Sequence, residues 1–196
     1  MATTVIDTGK RVFANLKSIL FTPWDTDAKP GTTTYDLVSI VDDTTSVEQA
    51  DNTINAIGHE FSSTPLYENV TLGAKTFTCE CIDFQNKVLK NLMGWTVEGT
   101  DDTGDAFAPI AYKELYCKID LQFNSTEDVI CLPKVKLNSK AILNTMKTGA
   151  SRGIIAGTCY AAYVKAGEKE HETDEAIISK TNAESYSVSG SATIGA

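Results

Sequence analysis

The sequence predicts a mainly β fold, a β-sandwich or barrel-like domain with one flanking α-helix, long loops and terminal arms. Three observations carry that expectation. Residues 112–123 alternate strictly, with Leu115, Cys117, Ile119, Leu121 and Phe123 on one parity and Tyr112, Glu114, Tyr116, Lys118, Asp120 and Gln122 on the other. Residues 75–82 alternate in the same way, setting Phe77, Cys79 and Cys81 against Thr76, Thr78 and Glu80. A side-chain period of two marks a strand with one face in a core. Only one stretch, about residues 83–93, repeats its apolar residues at helical spacing.

Taken along the chain, residues 35–41 and 45–51 are strand candidates parted by Asp42-Asp43-Thr44, each with one face in water because neither has a continuous apolar run. The strand at 75–82 leads into the helix. Asp83 is placed to accept from the first-turn amides, and Phe84, Val88, Leu89, Leu92 and Met93 form one apolar stripe with Lys87 and Lys90 on the wet side. Gly94 supplies a left-handed residue just past Met93, and Trp95 folds back on the last turn. Glu98-Gly-Thr-Asp-Asp-Thr-Gly-Asp105 is an acidic loop of turn formers.

The alternating run at 112–123 and a second run at 129–137 are separated by the turn-like Asn124-Ser-Thr-Glu-Asp128, which predicts a hairpin with Pro133 near an edge or bulge. Residues 151–164, rich in Gly, Ala and Ile, read as a buried strand. Beyond Val164 the chain turns polar through Gly167-Glu-Lys-Glu-His-Glu-Thr-Asp-Glu175, so 1–164 is expected to form the domain and 165–196 a polar C-terminal extension or arm carrying one further strand.

At 196 residues, one core is the expectation. With 42% hydrophobic and 22% charged residues the chain lies outside the regime of disorder. No run reaches the roughly 18 apolar residues of a membrane span, and the first residues lack the apolar centre and cleavage site of a secretory signal, so a cytoplasmic origin is expected. Five cysteines, an odd number with Cys79, Cys81 and Cys117 on apolar strand faces, read as reduced core thiols.

The net charge is −9, and between Lys29 and Lys75 there is no Lys or Arg while Asp36, Asp42, Asp43, Glu48, Asp51, Glu60 and Glu68 all fall inside that gap. A one-sign acidic surface repels phosphate and argues against nucleic-acid binding. Catalytic machinery is not expected either. His59 and His171 have no ligand-type neighbours at metal spacing, and Cys79-Glu-Cys81 has no second pair for zinc. Asp101-Asp-Thr-Gly-Asp105 lacks the twelfth-position acid of a calcium loop, and Gly149, Gly153 and Gly157 are wrongly spaced for phosphate. No Gly-x-Ser-x-Gly elbow is present. The reading is therefore no enzyme, no cofactor and no metal.

One order of features carries a resemblance: a strand pair around SIVDDTTSVEQADNTINAIGHEF, then TPLYENVTLGAKTFTCECIDF, then the helix QNKVLKNLMGW. Over about residues 35–164 this resembles the major tail tube proteins of long-tailed phages, at Asp43-Thr-Thr-Ser-Val-Glu-Gln49, at Glu60 with Pro65-Leu66, and from Gly73 to Phe77. That family is related to the tubes of contractile tails and of type VI secretion. The resemblance implies a virion protein, assembled in the host cytoplasm, whose hexameric rings stack into a tail tube through which double-stranded DNA passes without binding. The strands at 35–41 and 45–51 would line the lumen, and the helix would pack outside.

The implied partners are the chain itself, a tape measure protein and a tail terminator. The candidate lumen or ring-interface acids are Asp36, Asp42, Asp43, Glu48 and Asp51, with parity placing Glu48 and Asp51 on opposite faces of one strand. Two other readings share the β pattern. One is a terminator or initiator that forms a single ring; the other is a carbohydrate- or surface-binding sandwich using Trp24, Trp95, Tyr112 or Tyr116 as stacking platforms.

Overall fold

A computed structural model describes residues 13–26, 28–37, 39–59, 62–82, 85–101, 103–142 and 151–191. In chain order the strands are β1 (Leu16–Thr26), β2 (Lys29–Pro30), β3 (Tyr35–Leu37), β4 (Ser46–Gln49), β5 (Thr53–His59), β6 (Ser62–Thr71) and β7 (Lys75–Cys81). The helix α1 (Asn86–Leu92) follows, then β8 (Thr96–Glu98), β9 (Asp105–Phe107), β10 (Tyr116–Phe123), β11 (Val129–Leu137), β12 (Lys140–Ile142) and β13 (Arg152–Tyr160). The chain continues through β14 (Ala162–Ala166), β15 (Lys169–Thr173), β16 (Ala176–Ile178), a 3-10 turn (Lys180–Asn182) and β17 (Ser187–Ser189). The fold is mainly antiparallel β with one α-helix, as the alternation predicts. The strand orders all have ends, so no barrel closes among the described residues.

Contacts divide the chain into two compact units. The first comprises Met1–Val38, Cys117–Pro133 and Ala161–Ala196. Its main sheet runs β2-β1-β10-β11, with β3 also on β1 and β16 on β11. Ile19 pairs with Leu121 and Leu37, and Phe21 with Ile119 and Tyr35, so the large side chains of three strands share one face. Ile19, Phe21, Cys117 and Ile119 are fully buried there.

A second sheet, β15-β14-β17, lies in the same unit. Val129 and Cys131 of β11 and Ile178 of β16 pack with Ala162, Val164 and Val188, and Trp24 and Tyr186 close the margin. This second layer corrects the reading of β10. Lys118 and Asp120, expected on a wet parity, face into the molecule: Asp120 is only 6% exposed. Alternation reports which residues share a face, and a second sheet can cover the polar one. The stretch after Val164, expected as an arm with one further strand, supplies β15, β16 and β17.

The second unit comprises Ser39–Tyr116 and Lys134–Tyr160. Its sheet runs β11-β13-β7-β4, with β12 beside β13 and two separate hairpins, β5-β6 and β8-β9. Phe77, Cys79 and Cys81 of β7 are fully buried with Ile155 and Val135, as the alternation of residues 75–82 requires. Val88, Leu89, Leu92 and Met93 bury the apolar stripe of α1.

The helix opens later than expected. Gln85, at ψ 143°, holds the cap position without a side-chain hydrogen bond, and its carbonyl accepts from Val88 and Leu89 N–H at 2.9 and 3.1 Å. Asp83 and Phe84 lie outside the described residues, and the start moves from Asp83 to Asn86. Its end behaves as the sequence requires: Gly94 takes φ +74°, and the Leu89 carbonyl accepts from both Met93 and Trp95 N–H.

Two strand expectations change for one reason. Residues 35–41 and 45–51 are not two neighbouring strands: β3 stops at Leu37 and pairs with β1, and residues 39–49 run along β7. Ile40 faces Cys81 and Ser46 faces Thr78, so residues 41–45 stand opposite only Cys79 and Glu80. The excess is a bulge. Asp43 absorbs the kink at φ +60°, and Thr44 Oγ1 accepts from Glu80 N–H at 3.1 Å, replacing a lost ladder bond.

Pro133 is likewise not at an edge. It falls between the part of β11 paired with β16 (129–131) and the part paired with β13 (134–137), where the strand exchanges partners. The run at 151–164 is two strands, β13 and β14, and β13 buries alternate residues.

Gly157 sits mid-strand in β13, opposite both Leu137 and Phe77. A Cβ there would meet the Lys136 carbonyl and Val135 Cγ1 at 2.6 Å, so the neighbouring backbone requires glycine. Gly157→Ala should cost about 1–3 kcal/mol, lowering the urea midpoint at constant slope. An unchanged midpoint would mean that the adjacent strands yield freely.

Candidate functional site

Two side-chain constellations stand out, one in each unit. In the first unit, Lys118 Nζ bonds Asp120 Oδ2 at 2.8 Å and donates to Tyr186 OH at 3.1 Å. The side chains of Lys118 and Asp120 are 17% and 8% exposed, and Asp120 Oδ1 has no hydrogen-bond partner among the described residues. Cys131 lies beside them. Burial, then the neighbouring Asp120, pushes its thiol far above its ordinary range, and burial with Cys131 and Asp120 does the same to the Tyr186 phenol.

Such a pair ties the segment after β16 to the sheet without offering chemistry. The carboxylate is held by an ammonium, and the thiol and phenol keep their protons. An open groove of about 610 Å³ nearby is lined by Lys17, Glu127, Asp128, Lys180 and Glu184. Three of those residues already serve the fold: Lys180 pairs with Glu127, and its backbone N–H donates to Asp128 Oδ1.

In the second unit, cross-strand register places Lys136, Thr158, Thr76 and Glu48 in one row on the outer sheet face. Beside Lys136, Lys134 faces Tyr160. Lys134 Nζ lies 4.9 Å from the Tyr116 ring centre, and Lys136 Nζ lies 5.9 Å from the rings of both Tyr112 and Tyr116. Tyr116 meets Tyr160 edge to face at 6.5 Å. Lys136 also pairs with Glu114, which raises the lysine pKa above its ordinary value.

The candidate acids lie on different elements. Asp36 is exposed on β3 in the first unit, opposite Leu20. Asp42 and Asp43 form the exposed bulge, Glu48 is exposed on β4, and Asp51 lies beyond the end of that strand. Glu48 and Asp51 therefore do not share a strand. The period-two pattern alone marked Tyr112 and Tyr116 but not Tyr160 or the two lysines, because their meeting depends on the register of β11 against β13.

Among the described residues no group of three or more His, Cys, Asp or Glu could hold a metal, and no helix is long and apolar enough to cross a membrane. No family model matches the chain, and no curated protein matches it. A cryo-EM structure of the anti-feeding prophage baseplate, six-fold symmetrised, contains a chain that is similar over 92% of this chain and 99% of its own length. The TM-score is 0.38 and the identity 10%, a likeness that assigns neither fold nor role.

Removing one partner of a buried ion pair strands the other. Lys118→Met should therefore cost about 3–5 kcal/mol, whereas Lys118→Met with Asp120→Leu should recover most of it in chemical denaturation. Equal losses for the single and double variants would show that Asp120 is solvated.

All five cysteines are buried and none is in a disulfide, and burial pushes Cys117 from its ordinary 9.0 up to about 12. The folded state then binds thiol protons more tightly than the unfolded one. Stability should be full below about pH 9 and fall as pH rises towards 12. A flat urea midpoint between pH 8 and 11 would contradict this.

Proposed function

We propose that the chain is a structural subunit that assembles with copies of itself into rings, as a tube component of a phage-type tail. The observation that carries the reading is the position of β4. It ends its strand order, so among the described residues one of its edges has no strand beside it. An open edge is an aggregation hazard unless covered or used.

The backbone pattern says which groups that edge offers. Ala50 N–H bonds the Ala74 carbonyl at 2.9 Å, so residues 46 and 48, at even offsets from 50, direct their backbone groups to β7. Val47 and Gln49 direct theirs outward. A strand from the next copy can pair there, and repetition around an axis closes the edges, as the sequence resemblance to tail tube proteins implies.

In this reading Asp42, Asp43, Glu48 and Asp51 flank the subunit junction or face the bore. Carboxylates at those places repel passing DNA and leave it unbound. The exposed acids that a lone domain uses only for solubility then have a mechanical role, and no reactive centre is required.

The test is electron microscopy of the concentrated protein together with its mass in solution, beside Gln49→Pro. Proline at position 49 removes an outward amide and leaves the β4-β7 bonds in place. Wild type should form rings or tubes, and the variant should remain a folded monomer. A wild type that stays monomeric at every concentration, or a variant that assembles equally well, would refute the reading.

A further inference from the structure

The β8-β9 hairpin contains an arrangement that an isolated chain does not explain. Glu98 and Asp105 are direct cross-strand partners, two exposed carboxylates side by side. Like charges directly opposite on a two-stranded ribbon destabilise it. In sequence Asp101 and Asp102 fall between them, and no Lys or Arg occurs from 91 to 112. Lys90 reaches Asp101 only at 3.9 Å, with both side chains half exposed, which is worth little.

The outer face described above is the complement. Lys134 and Lys136 sit two residues apart on one face of β11, where strand geometry spaces their stems by about 7 Å. Their ammonium groups are held over Tyr112 and Tyr116, with Tyr112 61% and Tyr160 47% exposed around them. The pairing of Lys136 with Glu114 shows that this face accepts a carboxylate.

We infer that the Lys134/Lys136 face, ringed by Tyr112, Tyr116 and Tyr160, docks the acidic β8-β9 hairpin tip of a second copy of this chain. The inference rests on the self-assembly reading and adds a specific contact to it. The Glu98/Asp105 repulsion is relieved where the hairpin meets two closely spaced ammonium groups, and the tyrosines lower the solvent exposure of the contact. In a chain of net charge −9, acidic surfaces of two copies repel on close approach, so a local cationic receptor favours association.

The experiment uses the full chain. An equal mixture of unlabelled and 15N-labelled protein is treated with a carbodiimide, which joins a lysine directly to a carboxylate, and the cross-links are mapped by mass spectrometry. Links of mixed isotope between Lys134 or Lys136 and the 98–105 segment are expected. Lys134→Glu with Lys136→Glu should weaken association at least about tenfold, as should Glu98→Lys with Asp105→Lys, and mixing the two variants should restore it. Lys134→Gln with Lys136→Gln is the milder control should charge reversal disturb the sheet, and it should also weaken association.

Association of wild type with only intramolecular links, or with links elsewhere, overturns the docking and leaves the ring reading standing. Association unaffected by either variant does the same. Failure of wild type to associate overturns both.

Discussion

Backbone pairing along β11 is the interaction on which the rest depends. Its first residues, 129–131, pair with β16 and its last, 134–137, with β13, so one strand supplies a ladder to each unit. Pro133 stands at the exchange, outside both sets of pairs, so its missing N–H interrupts neither of these two ladders. The burial pattern of β11 follows from the same geometry: Val129, Cys131, Val135 and Leu137 are buried at alternate positions, while Lys134 and Lys136 are left on the open side of the second half. Both the core of the second unit and the cationic face beside it are therefore consequences of one register.

The first unit obeys a different balance. Its main sheet is covered on the side that carries Lys118 and Asp120, and covering a charge costs several kcal/mol unless a partner is present. Here Lys118 and Asp120 neutralise each other, and Tyr186 supplies the acceptor for a second lysine proton. An apolar pair would fill the same space at no electrostatic cost, so this arrangement selects a docking position more than it adds stability. A segment sliding by one residue along the sheet would take Tyr186 away from Lys118, whereas Val188 or Ile178 could slide with little penalty. Polar contact thus gives the C-terminal strands a register that their short ladders specify weakly.

What was legible in the sequence follows the range of the interactions. The period-two runs of β7, β10 and β11 and the Gly94 stop of α1 are written in neighbouring residues, and they could be read directly. Strand β1 was missed although Ile19 and Phe21 are fully buried, because Ser18, Thr22 and the break at Pro23-Trp24 conceal its alternation. The edge strand was split into the wrong pieces because a five-against-two bulge looks like a turn until β7 is set beside it. The acids were legible as a composition, but the strands they would follow were not: Asp36 goes with β3 to β1, while Glu48 goes with β4 to β7. The lysine and tyrosine face was illegible for the same reason, since Tyr160 joins it only through the β11-β13 register.

Charge distribution gives these placements a common logic. At physiological salt exposed charges are largely screened beyond roughly 8–10 Å, so the net negative charge opposes contact between copies only once they are that close. Within that distance the local arrangement of charges decides, and there the chain is far from uniform: the bulge at Asp42-Asp43 and the hairpin at 98–105 are rich in acids, while Lys134 and Lys136 stand together beside aromatic rings. General repulsion at close approach with one oppositely charged contact suppresses random aggregation and still permits one relative placement of two copies. That combination suits a subunit with an open edge strand, because β4 alone would pair with any extended chain. The edge supplies affinity without selectivity, and the segregated charges decide which encounter can use it.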